Sequence, residues 1–316
     1  MAQNAPGKHH RKGISLFEIM RRFPDDATAE AWFIEQRWPD GAHCPHCGSV
    51  NVQHPIKHRS MTHRCREKEC AKRFSVRTGS VMADSNLGYR VWAVAFYLVA
   101  TNLKGVSSMK LHRDLEITQK TAWHLAHRIR EGLIGDGVTF AGPVEVDECY
   151  IGGKRRNMSN AKRKGLTGRG AVGKTPVAGV KDRETNRVSA KAVSNTDGAT
   201  LQGFVRDRTA PGATVYTDDA RAYRGMKGFK HEAVNHSAGE YVRAMAHTNG
   251  IESFWASVKR RFHGTFHHFS VKHMDRYIGE AAGQHNLREA DTIDIMAHMA
   301  RGIIGRRLRY ADLIAD

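Results

Sequence analysis

Three carboxylates and a lysine lie where their elements could bring them into one site. Asp147 falls within PVEVDECYIGG, an alternating, β-rich stretch that reads as a strand. Asp218 ends a later strand, ATVYTDD, where the chain leaves the sheet. Glu252 lies in HTNGIESFWASVKRR, residues His247 to Arg261, which reads as an amphipathic helix. At about 100° per residue, Asn249, Glu252, Ala256, Lys259 and His263 share one arc. Ile251, Phe254, Val258 and Phe262 fall opposite, with Trp255 at the edge. One face can pack on a core while the other holds a carboxylate and an ammonium two turns apart. Taken alone, this is also what a solvated surface helix looks like. If the first and fourth strands are neighbours, however, the two aspartates approach each other and the helix can deliver Glu252. Three acidic oxygen donors suit Mg²⁺ or Mn²⁺. Two such ions roughly 3.5–4 Å apart can activate a nucleophile and stabilise the leaving oxygen of a phosphodiester. Lys259 could then grip a phosphate. Each acid has a rival: Glu145 and Glu148 flank Asp147, and only Glu145 shares its strand face. Asp219 follows Asp218, and Asn249 could join the site as a neutral ligand.

A second cluster is built for a different metal. Cys44-Pro-His-Cys47 and Cys65-Arg-Glu-Lys-Glu-Cys70 match the two knuckles of a zinc ribbon, each presenting two thiolates to one Zn²⁺. The second pair is stretched to four intervening residues, and His43, His46 and His63 are near enough to be alternative ligands. Four thiolates leave no open coordination position, so the ion would be structural. Four clustered cysteines of five suit a metal in a reducing compartment better than disulfides.

Five segments would position these groups. Residues 1–43 are a basic tail and a helix that Asp26 or Thr28 could cap, with Ala29, Trp32, Phe33 and Ile34 as its apolar patch. Residues 44–82 are the zinc ribbon. Residues 83–140 are helical: VWAVAFYLVA reads as a buried helix, and a helix from Thr118 to Arg130 completes a pair resembling a helix-turn-helix. Its groove-facing residues would be Gln119, Lys120, Thr121 and His124. Residues 141–270 hold the carboxylates. There a basic stretch, with Lys154, Arg155, Arg156, Lys162, Arg163 and Lys164, has too little apolar content to fold alone and reads as a mobile phosphate-contacting loop. Residues 271–316 are terminal helices. The order strand–strand–strand–helix–strand–helix resembles the ribonuclease H-like fold, an α/β class with a mixed sheet.

The formal net charge of +18 favours a polyanionic partner. A membrane-spanning role is disfavoured, because the longest apolar run, Val91 to Ala100, is far short of the roughly 20 residues needed. The N-terminus lacks the apolar core of a signal peptide. The expectation is a cytoplasmic, nucleoid-associated protein.

Several stretches together resemble the bacterial insertion-sequence DDE transposases with an N-terminal zinc ribbon, the group related to the eukaryotic Merlin elements. They are CPHCGS with RCREKECAKRFSVRTGSVM, VEVDECYIGGKRR, VYTDDARAY, HTNGIESFWASVKRRFHGTFHH and GRRLRYADLI. The resemblance implies that Asp147, Asp218 and Glu252 are the DDE triad, that Lys259 is the accompanying basic residue, and that His247 and Asn249 belong to an HTN signature. It departs at Thr217-Asp218-Asp219, where relatives usually carry TDG, and at the stretched cysteine pair. It further implies recognition of terminal inverted repeats in double-stranded DNA, hydrolysis at the element's end, attack of the freed 3′-hydroxyl on target DNA, and a homodimer or higher assembly. Two other readings remain open. One is a domesticated zinc-ribbon DNA-binding regulator without catalysis; the other is a metal-dependent nuclease on the same fold.

Overall fold

The computed structural model describes residues 12–135, 137–167, 170–218, 220–234 and 247–315, apart from the side chains of Lys162 and Val234. They form two compact units, one of residues 12–133 with 288–315, the other of residues 134–287.

The first unit opens with α1 (Leu16–Arg22) and α2 (Asp26–Arg37). Neither Asp26 nor Thr28 caps α2. The cap is Asp25, whose carboxylate accepts from Thr28 N at 2.8 Å. Asp26 instead accepts from Arg90 N at 2.9 Å. Ala29, Trp32 and Phe33 are buried. The antiparallel strands β1 (Val52–Gln53), β2 (His63–Cys65) and β3 (Arg73–Phe74) follow. Next come α3 (Tyr89–Thr101), α4 (Ser108–Asp114) and α5 (Gln119–Glu131). α3 buries residues on nearly every side, as its unbroken apolar run requires, and packs on α2. α4 and α5 are capped by Ser107 and Thr118 and joined by a turn with Glu116 in the left-handed region. The chain re-enters this unit through α10 (Thr292–Gly302), which lies on α2 and α3, and ends in α11 (Tyr310–Ile314). No helix among the described residues is long and apolar enough to cross a membrane.

The second unit is built on a five-stranded sheet: β4 (Val144–Ile151), β5 (Thr175–Asp182), β6 (Val188–Ala192), β7 (Thr214–Asp218) and β8 (Lys230–Val234). The order is β6-β5-β4-β7-β8; β6, β5 and β4 are antiparallel, and β4, β7 and β8 run parallel. This is the mixed α/β sheet of the ribonuclease H-like fold, and the first and fourth strands are indeed neighbours. Alternation along β4 sends Val144 and Val146 to a core shared with Leu201, Phe204 and Val205 of α7 (Gly198–Arg206). Cys149 and Ile151 go to the opposite core, under α8 (Asn249–Arg261) and α9 (Met274–Asn286). A short α6 (Asn160–Lys164) interrupts the basic stretch.

α8 presses its apolar face on β4 and β5. It lies close over Gly179, which pairs with Asp147 across the two strands. A Cβ there would stand 2.5 Å from the Trp255 ring. Gly179→Ala is therefore expected to push α8 off the sheet and destabilise the protein by about 1–3 kcal/mol, the range for overpacked cores. An unchanged urea midpoint would show that the ring has room to move.

Candidate active site and zinc ribbon

Asp147 and Asp218 meet through register. Val144 pairs with Val215 and Glu145 with Tyr216 in the parallel β4–β7 ladder. Carried two residues further, the same register brings Asp147 level with Asp218. Asp147 points to the α8 side, the face of Glu145 and Cys149. It is pushed up to about 7 by burial first, then by Glu148, Asp218 and Glu252. Among the described residues only the four cysteines bring their ligand atoms all within 4.8 Å of one another, so Asp147, Asp218 and Glu252 are neighbouring carboxyls that are not closed on one point. They are hard oxygen donors, so the fit is to Mg²⁺ or Mn²⁺ rather than to a softer metal.

Asp218 ends β7, where its Oδ1 accepts from Ala220 N at 3.2 Å. The neighbouring Asp219 lies outside the described residues. Glu252 is on the first turn of α8 and accepts from the Thr248 hydroxyl at 2.9 Å. The helical arc is as its periodicity predicts: Asn249, Glu252, Ala256, Lys259 and His263 are exposed, and Ile251, Phe254, Trp255, Val258 and Phe262 are buried. The Lys259 ammonium faces Cys149, two residues along β4 from Asp147 and on the same side. Burial raises the Cys149 thiol, and Lys259 opposes that rise. Asn249 opens α8 with an exposed side chain.

The flanking acids are otherwise engaged. Glu145, 2% exposed, accepts from Ile251 N at 2.9 Å and from Arg183 Nε at 2.9 Å. His247 Nδ1 stands 3.4 Å from the same carboxylate without hydrogen-bond alignment. Glu148 points the other way and accepts from the buried Tyr223 hydroxyl at 2.9 Å. Burial raises its carboxyl, and Tyr223 works against that rise. Sequence reasoning missed Arg183, Tyr223 and Thr248 as neighbours of the carboxylates. Only Thr248 left a local trace, four residues before Glu252 and therefore on its helical face.

The basic stretch is partly ordered. Arg155–Asn157 form a 3₁₀ turn, α6 follows, and the Arg155 guanidinium donates to the Leu166 carbonyl. Met158 and Leu166 turn inward with Phe269 to line a cavity of about 680 Å³. These few apolar groups pack the stretch, expected as a loop with too little apolar content to fold alone, against its own unit. Lys154, Arg155, Arg156, Arg163 and Lys164 remain exposed; the Lys162 side chain lies outside the described residues.

On α5, Gln119 and Lys120 are exposed, with the Gln119 amide donating to Ser108 Oγ at 3.1 Å and the Lys120 ammonium 4.4 Å from the Tyr310 ring centre. Thr121 and His124 are partly buried. Thr121 bonds its capping partner Thr118, and His124 Nε2 lies 3.1 Å from the Leu308 carbonyl. The chain at Leu308 and Tyr310 thus lies against His124.

In the ribbon, Cys44, Cys47, Cys65 and Cys70 offer sulfurs all within 4.8 Å of one another. Cys44 and Cys70 are 3.7 Å apart, and Cys47 and Cys65 3.6 Å. A tetrahedral ion with Zn–S bonds of about 2.3 Å separates its sulfurs by about 3.8 Å; a disulfide would need about 2.05 Å. The stretched knuckle closes through a turn that places Ala71 in the left-handed region, its N–H on the Glu67 carbonyl at 2.8 Å. Burial foremost, with the other thiols, pushes Cys65 up to about 12, so a bound cation is what would let this buried sulfur ionise. His63 is not a ligand: it is buried between His54 and Phe74, and burial lowers it to about 4. His43 lies against Trp38, and His46 contributes a backbone N–H to Cys44 Sγ at 3.4 Å.

Comparison with known proteins agrees with both halves of this picture. Residues 139–286 match the ISXO2-like transposase domain, and residues 24–73 match the transposase zinc-ribbon domain. An uncharacterized protein in transposable element ISH50 of Halobacterium salinarum is 30% identical over 257 residues, covering 77% of this chain and 85% of the relative. An uncharacterized transposase-like protein of Haemophilus influenzae is 29% identical over 119 residues, 37% of this chain and 95% of that one. With a carboxylate-bearing mixed sheet behind a four-cysteine ribbon, and a relative from a mobile element along most of its length, the chain belongs to the insertion-sequence DDE transposases of the ISXO2-like family.

Proposed function

We propose that this protein cuts the ends of its element and joins them to target DNA. The observation that carries this reading is the parallel β4–β7 register, which brings Asp147 level with Asp218 inside the segment that matches the transposase domain; burial and the neighbouring acids raise the Asp147 carboxyl there. Asp147, Asp218 and Glu252 would hold two Mg²⁺ or Mn²⁺ ions. When bound, such a pair supplies Lewis-acid activation of the attacking oxygen and stabilisation of the leaving one. The chain's own part is positioning. β4 and β7 set the two aspartates side by side, and α8 brings Glu252 from above. The Lys259 ammonium, on the same face, would neutralise a phosphate of the DNA end. Asn249 would offer its amide at the mouth of the site. Water opens the phosphodiester at the element's end and leaves a 3′-hydroxyl. That hydroxyl attacks a target phosphodiester, forming one P–O bond as another breaks, with no bond to the protein.

DNA contact is assigned to Lys154, Arg155, Arg156, Lys162, Arg163 and Lys164, and to Gln119, Lys120, Thr121 and His124 of α5. Gln119 and Lys120 are the exposed members of the α5 set; Thr121 and His124 would reach DNA only by leaving their present partners. The net charge of +18 supports a polyanion partner at the nucleoid. Two ends must be held together, so a homodimer or larger assembly on DNA is expected.

The test uses a labelled duplex carrying the element's terminal repeat, a supercoiled plasmid and Mg²⁺. Joined product that depends on the repeat supports the transposase. Binding without any joining would identify a regulator. Cleavage indifferent to the repeat, again without joining, would identify a nuclease.

A further inference from the structure

We propose that Glu145 is a positioning residue for Glu252: it caps α8 from the sheet and thereby leaves the Thr248 hydroxyl to orient the Glu252 carboxylate. This rests on the metal-site reading above. The first backbone N–H groups of a helix lack partners within it, and the N-cap side chain ordinarily accepts from the second or third of them. Thr248 occupies the N-cap and has a suitable side chain, yet it makes no capping bond. The bond is made in trans: Ile251 N, third in the helix, donates to Glu145 Oε2 at 2.9 Å. A buried carboxylate is well placed there, because the positive pole of the helix faces it.

The other oxygen of Glu145 is also engaged. Arg183 Nε donates to Oε1 at 2.9 Å, and Arg183 Nη2 donates to the His247 carbonyl at 2.5 Å. Lys181 Nζ reaches the Gly250 carbonyl at 3.3 Å. Glu145 and Lys181 of the strands, with Arg183 in the turn just past β5, thus hold backbone at 247, 250 and 251 on both sides of the helix start. Gly250 permits this approach: a Cβ there would lie 2.7 Å from Glu145 Oε2 and 2.9 Å from Lys181 Nζ, so both side-chain ends would have to shift. With the cap supplied by the sheet, the buried Thr248 hydroxyl donates to Glu252 Oε1 at 2.9 Å. Glu252 is an exposed, three-torsion side chain, and this bond restricts the orientations it can adopt. With both oxygens of Glu145 on protein donors, Glu145 supports the site without entering it.

The test compares Mn²⁺ binding, read from the EPR signal of free Mn²⁺, for the wild type, Glu252→Gln, Thr248→Val, Thr248→Ser and Glu145→Ala, together with hydrogen exchange at the Ile251 amide. Thr248→Val is nearly isosteric and should remain folded. It is expected to weaken Mn²⁺ binding about 10-fold, the lower end for residues that orient metal ligands. Thr248→Ser is expected to restore it. Glu145→Ala is expected to weaken Mn²⁺ comparably and to speed exchange at Ile251. In joining assays both weakened variants should lose kcat with the KM for DNA unchanged. If Thr248→Val and Glu145→Ala are folded and bind Mn²⁺ as the wild type does, while Glu252→Gln binds it weakly, the positioning role is wrong. If Glu252→Gln itself binds Mn²⁺ normally, the metal-site reading fails and this inference with it.

Discussion

Asp147→Asn is expected to abolish strand joining and yet to make the metal-free protein more stable at pH 8. The activity loss would follow from removing a carboxylate that would help hold the ions: several kcal/mol of charge stabilisation correspond to roughly 10³-fold in rate. The stability gain follows from the raised carboxyl. Asp147 titrates at about 7 in the folded chain, against about 3.9 in an unfolded one. Between those values the folded state holds a proton that the unfolded state has released, so stability falls as pH rises from about 4 to about 7. Above that range the metal-free protein carries the full penalty, at most about 4 kcal/mol. Asparagine removes the charge and with it the penalty. Thermal melts in chelator should place the variant above the wild type at pH 8 and close to it at pH 4. Mg²⁺ at pH 8 should raise the wild-type midpoint and leave the variant unmoved. A variant that melts below the wild type in chelator at pH 8 would mean that Asp147 is satisfied by its neighbours rather than opposed by them.

Removing zinc is expected to be the largest structural perturbation available in the first unit. The strands of the ribbon are two or three residues long, and its core is little more than Trp38, His63 and Phe74 around the buried Cys44 and Cys65. So small a core does not hold itself together, and structural zinc sites of this kind contribute on the order of 10 kcal/mol or more to folding. Cys65→Ser removes one of the two fully buried ligands. Metal analysis should fall from one zinc per chain to near zero, and the amide signals of 44–74 should collapse toward random-coil positions. Residues 134–287 form their own compact unit with their own cores, so the sheet should survive. A zinc-free variant with a native ribbon spectrum would mean that the four sulfurs are brought together by packing alone.

The parts of the chain governed by local rules were legible before any coordinates. The arc of α8 came from a 3.6-residue period: Asn249, Glu252, Ala256 and Lys259 are exposed, and Ile251, Phe254, Trp255 and Val258 are buried, with His263 and Phe262 continuing the two faces past its end. The ribbon came from cysteine spacing, because a tight knuckle brings two thiolates onto one ion whatever surrounds it. The cap of α2 was expected at Asp26 or Thr28 and lies at Asp25, because all three are competent caps. The choice among them fell to Arg90, whose amide takes Asp26. Which helices share a core was not legible either. α9 closes one unit and α10 the other, although only five residues separate them.

The carboxylates show the same division most clearly. From sequence alone Glu145, Asp147 and Glu148 were three acids on one strand, and alternation separated only Glu148 from the others. α8 decided between the remaining two. Its unpaired N–H groups had to find acceptors, and the start of the helix lies over Glu145, so that carboxylate is consumed by Ile251 and Arg183. Asp147, one pleat further along, is left with Asp218 and Glu252 among the acids that raise it. Residue type and period can nominate acids for a site. Which of them stays available for a metal depends on where the hydrogen-bond donors of a distant helix come to rest.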